Sequence, residues 1–155
     1  MQLQKAQKLA YELIAKHNLE YNFRFDSSLR RFGSCNISKK IITLSRKLVK
    51  LNDEKRVIKT LVHEIAHALT PNSGHNWKWR KVAKSLGHSG ERCYSLADTI
   101  TVKPKLIGTC PVCKRTTEAF RKRGVACGIC CRLHNGGKFT TDFLLQWSSN
   151  KGIKN

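Results

Sequence analysis

Two histidines four residues apart, His63 and His67, enclose a glutamate in the run His63-Glu64-Ile65-Ala66-His67. On a helix such histidines lie about 40° apart around the axis, so both imidazoles can reach one metal ion. Glu64 is adjacent to that face, where a carboxylate can take a proton from a metal-activated water. The trio therefore points to metal-assisted hydrolysis, provided the run is helical and a third ligand exists.

The helix is legible. Asn52 is the predicted N-cap, and Asp53 and Glu54 fall in the first turn, where carboxylates complement the helix dipole. Val57, Ile58, Leu61, Val62, Ile65, Ala68 and Leu69 recur at helical spacing until Pro71 ends the run. Thr60, His63, Glu64 and His67 occupy the opposite arc. Downstream, Asn72-Ser73-Gly74-His75 opens a second predicted helix through Leu86 that stops at Gly87, with Trp79, Val82, Ala83 and Leu86 as its buried stripe. His75, four residues before Trp79, points to the same inward side and is well placed as third ligand. His88 at the helix end and Glu91 are weaker competitors. A metzincin pattern is excluded, because Thr70 and Ser73 stand where it needs glycine and histidine. Trp77 falls about 160° from Trp79; it either packs against another module, the favoured reading, or offers its ring to a nucleobase.

A second constellation lies further on. Cys110-Pro111-Val112-Cys113 and Cys127-Gly128-Ile129-Cys130 are two knuckles separated by thirteen residues, a spacing that closes a four-thiolate structural zinc site around a strand hairpin. Cys131 is an alternative to Cys130, and His134 a remote one. Between the knuckles, Lys114, Arg115, Phe120, Arg121, Lys122 and Arg123 form either a solvated loop or a phosphate clamp with a stacking ring. Phe139, Phe143, Leu145 and Trp147 share one parity and predict a closing strand.

The remaining elements must hold these sites. Residues 1–18 read as an amphipathic helix with Leu3, Ala6, Ala10, Leu13 and Ile14 on one stripe and His17 at its end. Tyr21, Phe23 and Phe25 alternate with polar residues, and 29–35 and 41–45 are further strand candidates around a polar turn at 36–40. Ser45 caps a short turn through Leu48. Cys35 and Cys93 read as small core side chains, with an inhibitory Cys35 thiolate on the metal the lesser reading. The order is that of an α+β fold: N-terminal helix, small antiparallel sheet, metal helix and second helix in residues 1–103, a zinc ribbon in 104–149, and a tail, 150–155.

The net charge of +20 is unevenly spread: 11 Lys/Arg against 3 Asp/Glu in residues 1–51, 8 against 5 in 52–101, and 11 against 2 in 102–155. Basic flanks around a near-neutral centre point to a polyanionic partner, nucleic acid first. No run of 18 apolar residues and no signal-peptide pattern is present, so neither membrane insertion nor secretion is expected. An odd count of seven cysteines, four of them in knuckles, favours zinc over disulfides and an intracellular setting, cytoplasm or nucleus. A monomer is expected.

From about Phe32 to Trp147 the chain resembles the SprT-like zinc metalloproteases, the family that includes the Spartan DNA–protein crosslink proteases. The resemblance rests on Phe32-Gly33-Ser34-Cys35, Ile42-Thr43-Leu44-Ser45, the histidine run, Gly74-His75 and the ribbon. It implies a small zincin-type protease domain with His63, His67 and His75 on a catalytic zinc, Glu64 as catalytic acid/base, and a ribbon that helps bind DNA, single-stranded or junction DNA being favoured. The expected function is a DNA-stimulated zinc endopeptidase that cleaves DNA-bound or DNA-crosslinked proteins; the rival is a non-catalytic nucleic-acid-binding zinc protein. A substrate is expected to lie extended along an edge strand at Ile41–Ser45, with Tyr94 or Arg92 as candidate oxyanion stabilisers.

Overall fold

A computed structural model of the chain describes residues 1–92 and 99–150; Cys93 and Tyr94 lie outside the described residues. The chain divides into two compact units, Met1–Val102 and Lys103–Asn155.

In the first unit, α1 (Leu3–Lys16) buries Ala6, Ala10 and Ile14, and His17 is its C-cap. Strands β1 (Asn22–Asp26), β2 (Gly33–Asn36) and β3 (Ile41–Ser45) form one sheet in the order β1-β3-β2. β2 and β3 are antiparallel, but β1 runs parallel to β3, so the sheet is mixed rather than antiparallel throughout. The cause lies in residues 27–32. They carry the chain past the end of β3, where Ser45 donates from its backbone N–H to Phe32 O at 2.7 Å and from its hydroxyl to Ser28 O at 2.6 Å. Alternating side chains report a strand's faces but not its neighbours. The expected strand from residue 29 is correspondingly shorter, starting at Gly33.

Ser45 caps α2 (Arg46–Leu51) by accepting from the Leu48 N–H. The long helix α3 (Glu54–Leu69) then starts from Asp53, whose carboxylate accepts the Arg56 N–H at 2.8 Å. Asn52, the expected cap, is instead engaged by tertiary partners: its amide donates to Leu48 O and Ile100 O, and it accepts the Ile100 N–H. The apolar stripe of α3 joins Phe23, Phe32, Ile42, Leu44, Leu48 and Val49 in the main core, where α1 also packs. Each such side chain contributes roughly 1.5–3 kcal/mol on burial. α3 is not two-faced in the simple sense, because Thr60 and Glu64 on its polar arc are buried as well.

α4 (Trp77–Ser85) starts at Asn76, whose side chain accepts the N–H groups of Lys78 and Trp79. It ends at Gly87, whose φ of 84° lets the backbone turn back so that the His88 N–H donates to Ala83 O. Trp79 and Ala83 pack on Ala66 of α3, forming a second, smaller core beside the histidines.

In the second unit, β4 (Leu106–Thr109) and β5 (Thr116–Ala119) are an antiparallel hairpin whose turn is the first cysteine knuckle. The second knuckle leads into a helix, α5 (Gly128–His134), and β6 (Gln146–Ser149) pairs with the other edge of β4. The closing strand is thus shorter than the parity of Phe139 to Trp147 predicts: residues 141–143 form a helical turn and Phe139 is exposed. Trp147 instead lies across Gly108, close enough that a Cβ there would meet the indole at 2.7 Å.

Candidate active site

The Nε2 atoms of His63, His67 and His75 lie 3.1–3.2 Å from one another. His63 and His67 come from consecutive turns of α3. His75 comes from the loop that leads into α4, where the sequence places it, turned inward after Gly74, which has a φ of 55°. A triangle of imidazole nitrogens cannot satisfy itself with hydrogen bonds along all three edges, because each nitrogen carries at most one proton or one in-plane lone pair. Three lone pairs converging on one point suit a cation. Ligands about 2.0–2.1 Å from a tetrahedral zinc are about 3.3 Å apart, so the spacing fits zinc.

Electrostatics favour the neutral, ligating form of the rings. Burial pushes the pKa of His63 down to about 3 and that of His67 to about 4, with each ring's histidine neighbours adding to the effect. Burial also lowers His75, helped by Arg92 and Arg80. Beneath them lies Trp79, 0% exposed, with its ring 4.6–5.2 Å from all three imidazoles. Sequence reasoning found Trp79 only as part of a buried stripe; its position four residues after His75 was the signal that it backs the site.

Glu64 is 7% exposed and shares with His63 the wall of a cavity of about 260 Å³. Burial raises its carboxyl to about 8 in the metal-free site, against the opposing pull of Arg31 and a hydrogen bond donated by the Cys35 N–H. β2 therefore gives the Phe32-Gly33-Ser34-Cys35 motif a role the resemblance does not assign: it holds the carboxylate through Cys35, and its Gly33 makes room for it. A Cβ on Gly33 would stand 2.8 Å from Thr60 Cγ2 and 2.9 Å from Glu64 Oε1. The Cys35 thiol itself is pushed up to about 12 by burial and by Glu64, so it is a thiol rather than a thiolate, and it is not in the histidine cluster.

The competing ligands fall away. His88 is buried with its ring centroid 5.2 Å from that of His63, but its Nδ1 accepts the Gly90 N–H and it stands outside the trio. Glu91 pairs with Lys59 at 3.8 Å. β3 is the central strand, with both edges occupied, so it cannot receive a substrate chain; β1 and β2 are the edge strands, and β2 faces α3. Trp77 is 68% exposed with the Lys78 ammonium 5.8 Å from its ring centroid.

In the second unit Cys110, Cys113, Cys127 and Cys130 converge. Cys110 and Cys130 sulfurs are 3.7 Å apart and those of Cys113 and Cys127 3.6 Å, against about 3.8 Å for thiolates on a tetrahedral zinc with bonds of about 2.3 Å. Cys131 is buried but outside the cluster, as is His134. N–H groups of Cys130 and Ile129 pull the Cys127 thiol down to about 6, towards the ligating thiolate. Lys114, Arg115, Arg121, Lys122 and Arg123 are exposed, with the Lys114 ammonium folded onto Pro111 O at 2.7 Å, and Phe120 is half-buried.

Comparison with known proteins locates this arrangement. No curated protein matches the chain. Among solved structures, the metallopeptidase zymogen jannalysin of Methanocaldococcus jannaschii is similar at 16% identity and a TM-score of 0.47, over 60% of this chain and 85% of that one. Abylysin of Pyrococcus abyssi, also a metallopeptidase zymogen, is similar at 17% identity and a TM-score of 0.43, over 54% and 77%. Both likenesses are weak. The family comparison is decisive, because the SprT-like family matches residues 3–102, spanning the whole first unit but for its first two residues. The chain belongs to the SprT-like family, the zinc metalloprotease family its motifs resemble.

Proposed function

We propose that the chain is a zinc-dependent endopeptidase, stimulated by DNA, that cleaves proteins bound or crosslinked to DNA. The observation that carries the hydrolytic part is the convergence of three neutral imidazoles beside one buried carboxylate. Three protein ligands make a catalytic set, whereas the four thiols of the second unit make a closed structural one. His63, His67 and His75 would hold the catalytic zinc, and the four cysteines a second.

When bound, zinc supplies Lewis acidity, bringing the pKa of a water molecule to roughly 7 and polarising a peptide carbonyl. The residues supply the rest. Glu64 accepts a proton from the attacking water and hands it to the departing amine nitrogen. Its position is fixed from two sides, by the Cys35 N–H donating to the carboxylate and by the close approach of Gly33. β2, an edge strand, offers its outward main-chain groups other than the Cys35 N–H to an extended substrate, which aligns the peptide without demanding a particular sequence.

The DNA part rests on charge and on exposed aromatics. The net charge of +20, the exposed cations of the second unit and the bare Trp77 ring beside Lys78 suit phosphates and unstacked bases. The test is cleavage of a protein–DNA crosslink by wild type and Glu64→Gln, with and without chelator. Wild type should cleave, the variant should lose about 10²–10⁴-fold in rate, and both should bind DNA equally. Intact crosslink with wild type and zinc present would leave a nucleic-acid-binding zinc protein as the reading.

A further inference from the structure

His88 is a buried histidine to which the hydrolytic step described above gives no task. Local backbone geometry fixes it at two points. Gly87, at a φ of 84°, turns the chain back at the end of α4 so that the His88 N–H donates to Ala83 O at 2.9 Å. Two residues after His88, Gly90 has a φ of 81°, and its N–H donates to His88 Nδ1 at 3.0 Å. Both glycines hold a left-handed conformation that residues with a side chain adopt only at a cost. The ring packs edge-to-face against two neighbours, its centroid 5.2 Å from that of His63 and 5.8 Å from that of Trp79.

The hydrogen bond from Gly90 settles the tautomer. A ring nitrogen that accepts an N–H carries no proton, so the neutral imidazole keeps its proton on Nε2 and is a donor there. Nε2 has no hydrogen-bond partner among the described residues, and it is not one of the sealed side-chain atoms that lack one, so it stays open to solvent. The space beside the ring is the cavity of about 260 Å³ whose wall also includes His63 and Glu64. His88 nonetheless stands outside the three imidazoles whose nitrogens lie within 4.8 Å of one another. A histidine whose ring packs on a ligand's ring, with its free donor outside the ligand set, is placed to meet a substrate rather than the metal.

We propose that His88 donates a hydrogen bond from Nε2–H to the carbonyl oxygen of the scissile peptide bond as that oxygen gains negative charge, which makes it a further catalytic residue. The inference rests on the endopeptidase reading and adds a donor to it. No proton leaves His88: its hydrogen bond shortens as charge builds, while Glu64 moves the proton. Because the backbone contacts at Ala83 and Gly90 fix the ring before a substrate arrives, the donor needs no reorganisation during the reaction. The sequence offers Arg92 and Tyr94 for this task and His88 only as a weak metal ligand. The Gly90 contact, which exists only in the folded chain, gives His88 the donor role.

The experiment uses the full zinc-loaded chain and compares wild type with His88→Gln and His88→Met. The two variants remove the ring alike and differ in whether a donor remains, so any loss of packing is common to both. On a quenched fluorescent peptide, kcat should fall about 10²–10³-fold in His88→Met with KM little changed, and His88→Gln should recover about tenfold of it. A phosphinic peptide, whose tetrahedral anionic group mimics the charged oxygen, should bind His88→Met about 10²-fold more weakly than wild type, while the cleaved product binds both alike. In the chelated chain, nitrogen NMR should show His88 protonated at Nε2 and bare at Nδ1. Gln and Met variants that are equally slow, or that lose phosphinic and product peptide in the same proportion, would reduce His88 to packing and overturn the proposal. So would an Nδ1–H tautomer. Cleavage that Glu64→Gln abolishes and His88→Met leaves at the wild-type rate would overturn the donor and keep the endopeptidase. A wild-type chain that neither cleaves the peptide nor binds the phosphinic one would remove the endopeptidase reading and this proposal with it.

Discussion

Gly33→Ala tests the architecture around Glu64, the proposed proton acceptor, with one methyl group. The new Cβ would stand 2.8 Å from Thr60 Cγ2, 2.9 Å from Glu64 Oε1 and 3.1 Å from Glu64 Cγ. Ordinary contacts between such atoms are about 3.5–4.0 Å, so these groups must retreat by roughly 0.5–1 Å. Glu64 has little room to retreat, being 7% exposed and held by the Cys35 N–H. Thr60 Cγ2 sits two bonds from the α3 backbone, and the Thr60 hydroxyl donates to Arg56 O at 3.1 Å. Overpacking of this kind costs about 1–3 kcal/mol, or roughly 4–8 °C in melting temperature per kcal/mol for a unit of this size. A misplacement approaching 1 Å at a reacting group costs up to about 10²-fold in rate. The assay is kcat and KM on a peptide, with melting temperature and zinc content on the same sample. Zinc content should stay at wild type, because no histidine is touched, while kcat falls about 10–100-fold. Adding Thr60→Ser removes the methyl contact and should return part of the stability but little of the rate, since the contact with Glu64 remains. A Gly33→Ala enzyme with wild-type kcat and melting temperature would refute the claim that β2 sets the position of Glu64.

Three further outcomes follow from the geometry. In the chelated chain, His63 and His67 stay neutral down to about 3 and about 4, while unfolded histidines protonate near 6.5, so stability is full above about 6.5 and drains as pH falls towards those values. Glu64 acts oppositely: its raised value of about 8 gives stability that is present below the unfolded 4.5 and lost as pH rises through 8. Melting temperature of the chelated chain should therefore peak at about pH 6.5–7, and Glu64→Gln should flatten the alkaline limb; an alkaline limb unchanged in that variant would contradict the burial argument. On the proposed two-zinc reading, Cys130→Ser should lower zinc from two ions per chain to one and unfold the second unit, whereas Cys131→Ser should keep both, as metal analysis with circular dichroism can read. Replacing Arg121, Lys122 and Arg123 with glutamine should lower the salt dependence of single-stranded DNA binding by about 0.7 in log–log slope per lost phosphate contact, and an unchanged slope would remove these cations from the interface.

The parts of the fold that local chemistry determines were legible in the sequence, and those that tertiary neighbours determine were not. The helical face carrying His63 and His67, the cap at Ser45 and the two cysteine knuckles follow from spacings within a few residues, and each stands where those spacings put it. Spacing favours Cys130 but leaves Cys131 as an alternative, because both adjoin the same helical turn; convergence of sulfurs in space separates them. His75 shows a correct neighbour reached by a different route. Helical spacing to Trp79 suggested an inward direction, while the chain achieves it with a positive-φ glycine one residue before. The parallel pairing of β1 with β3 was invisible for a different reason: a side-chain pattern with period two is the same for either neighbour and either direction. That ambiguity misplaced the edge strand, and with it the expected substrate track.

The most consequential residue missed was Gly33. Its meaning depends on Thr60 and Glu64, which lie 27 and 31 residues further along the chain, and inside the strand candidate 29–35 nothing local points to them. In the folded chain it is the position at which a side chain cannot exist if the carboxylate is to reach the site. The Phe32-Gly33-Ser34-Cys35 segment thus combines three functions: Phe32 braces the Arg56 guanidinium, Gly33 clears space for Glu64, and Cys35 donates to it. One four-residue stretch on the edge of the sheet positions Glu64, the proposed proton acceptor, and lines the cavity beside it. A substitution there should therefore lower the rate at unchanged metal content, whereas one at His63, His67 or His75 should alter metal content first.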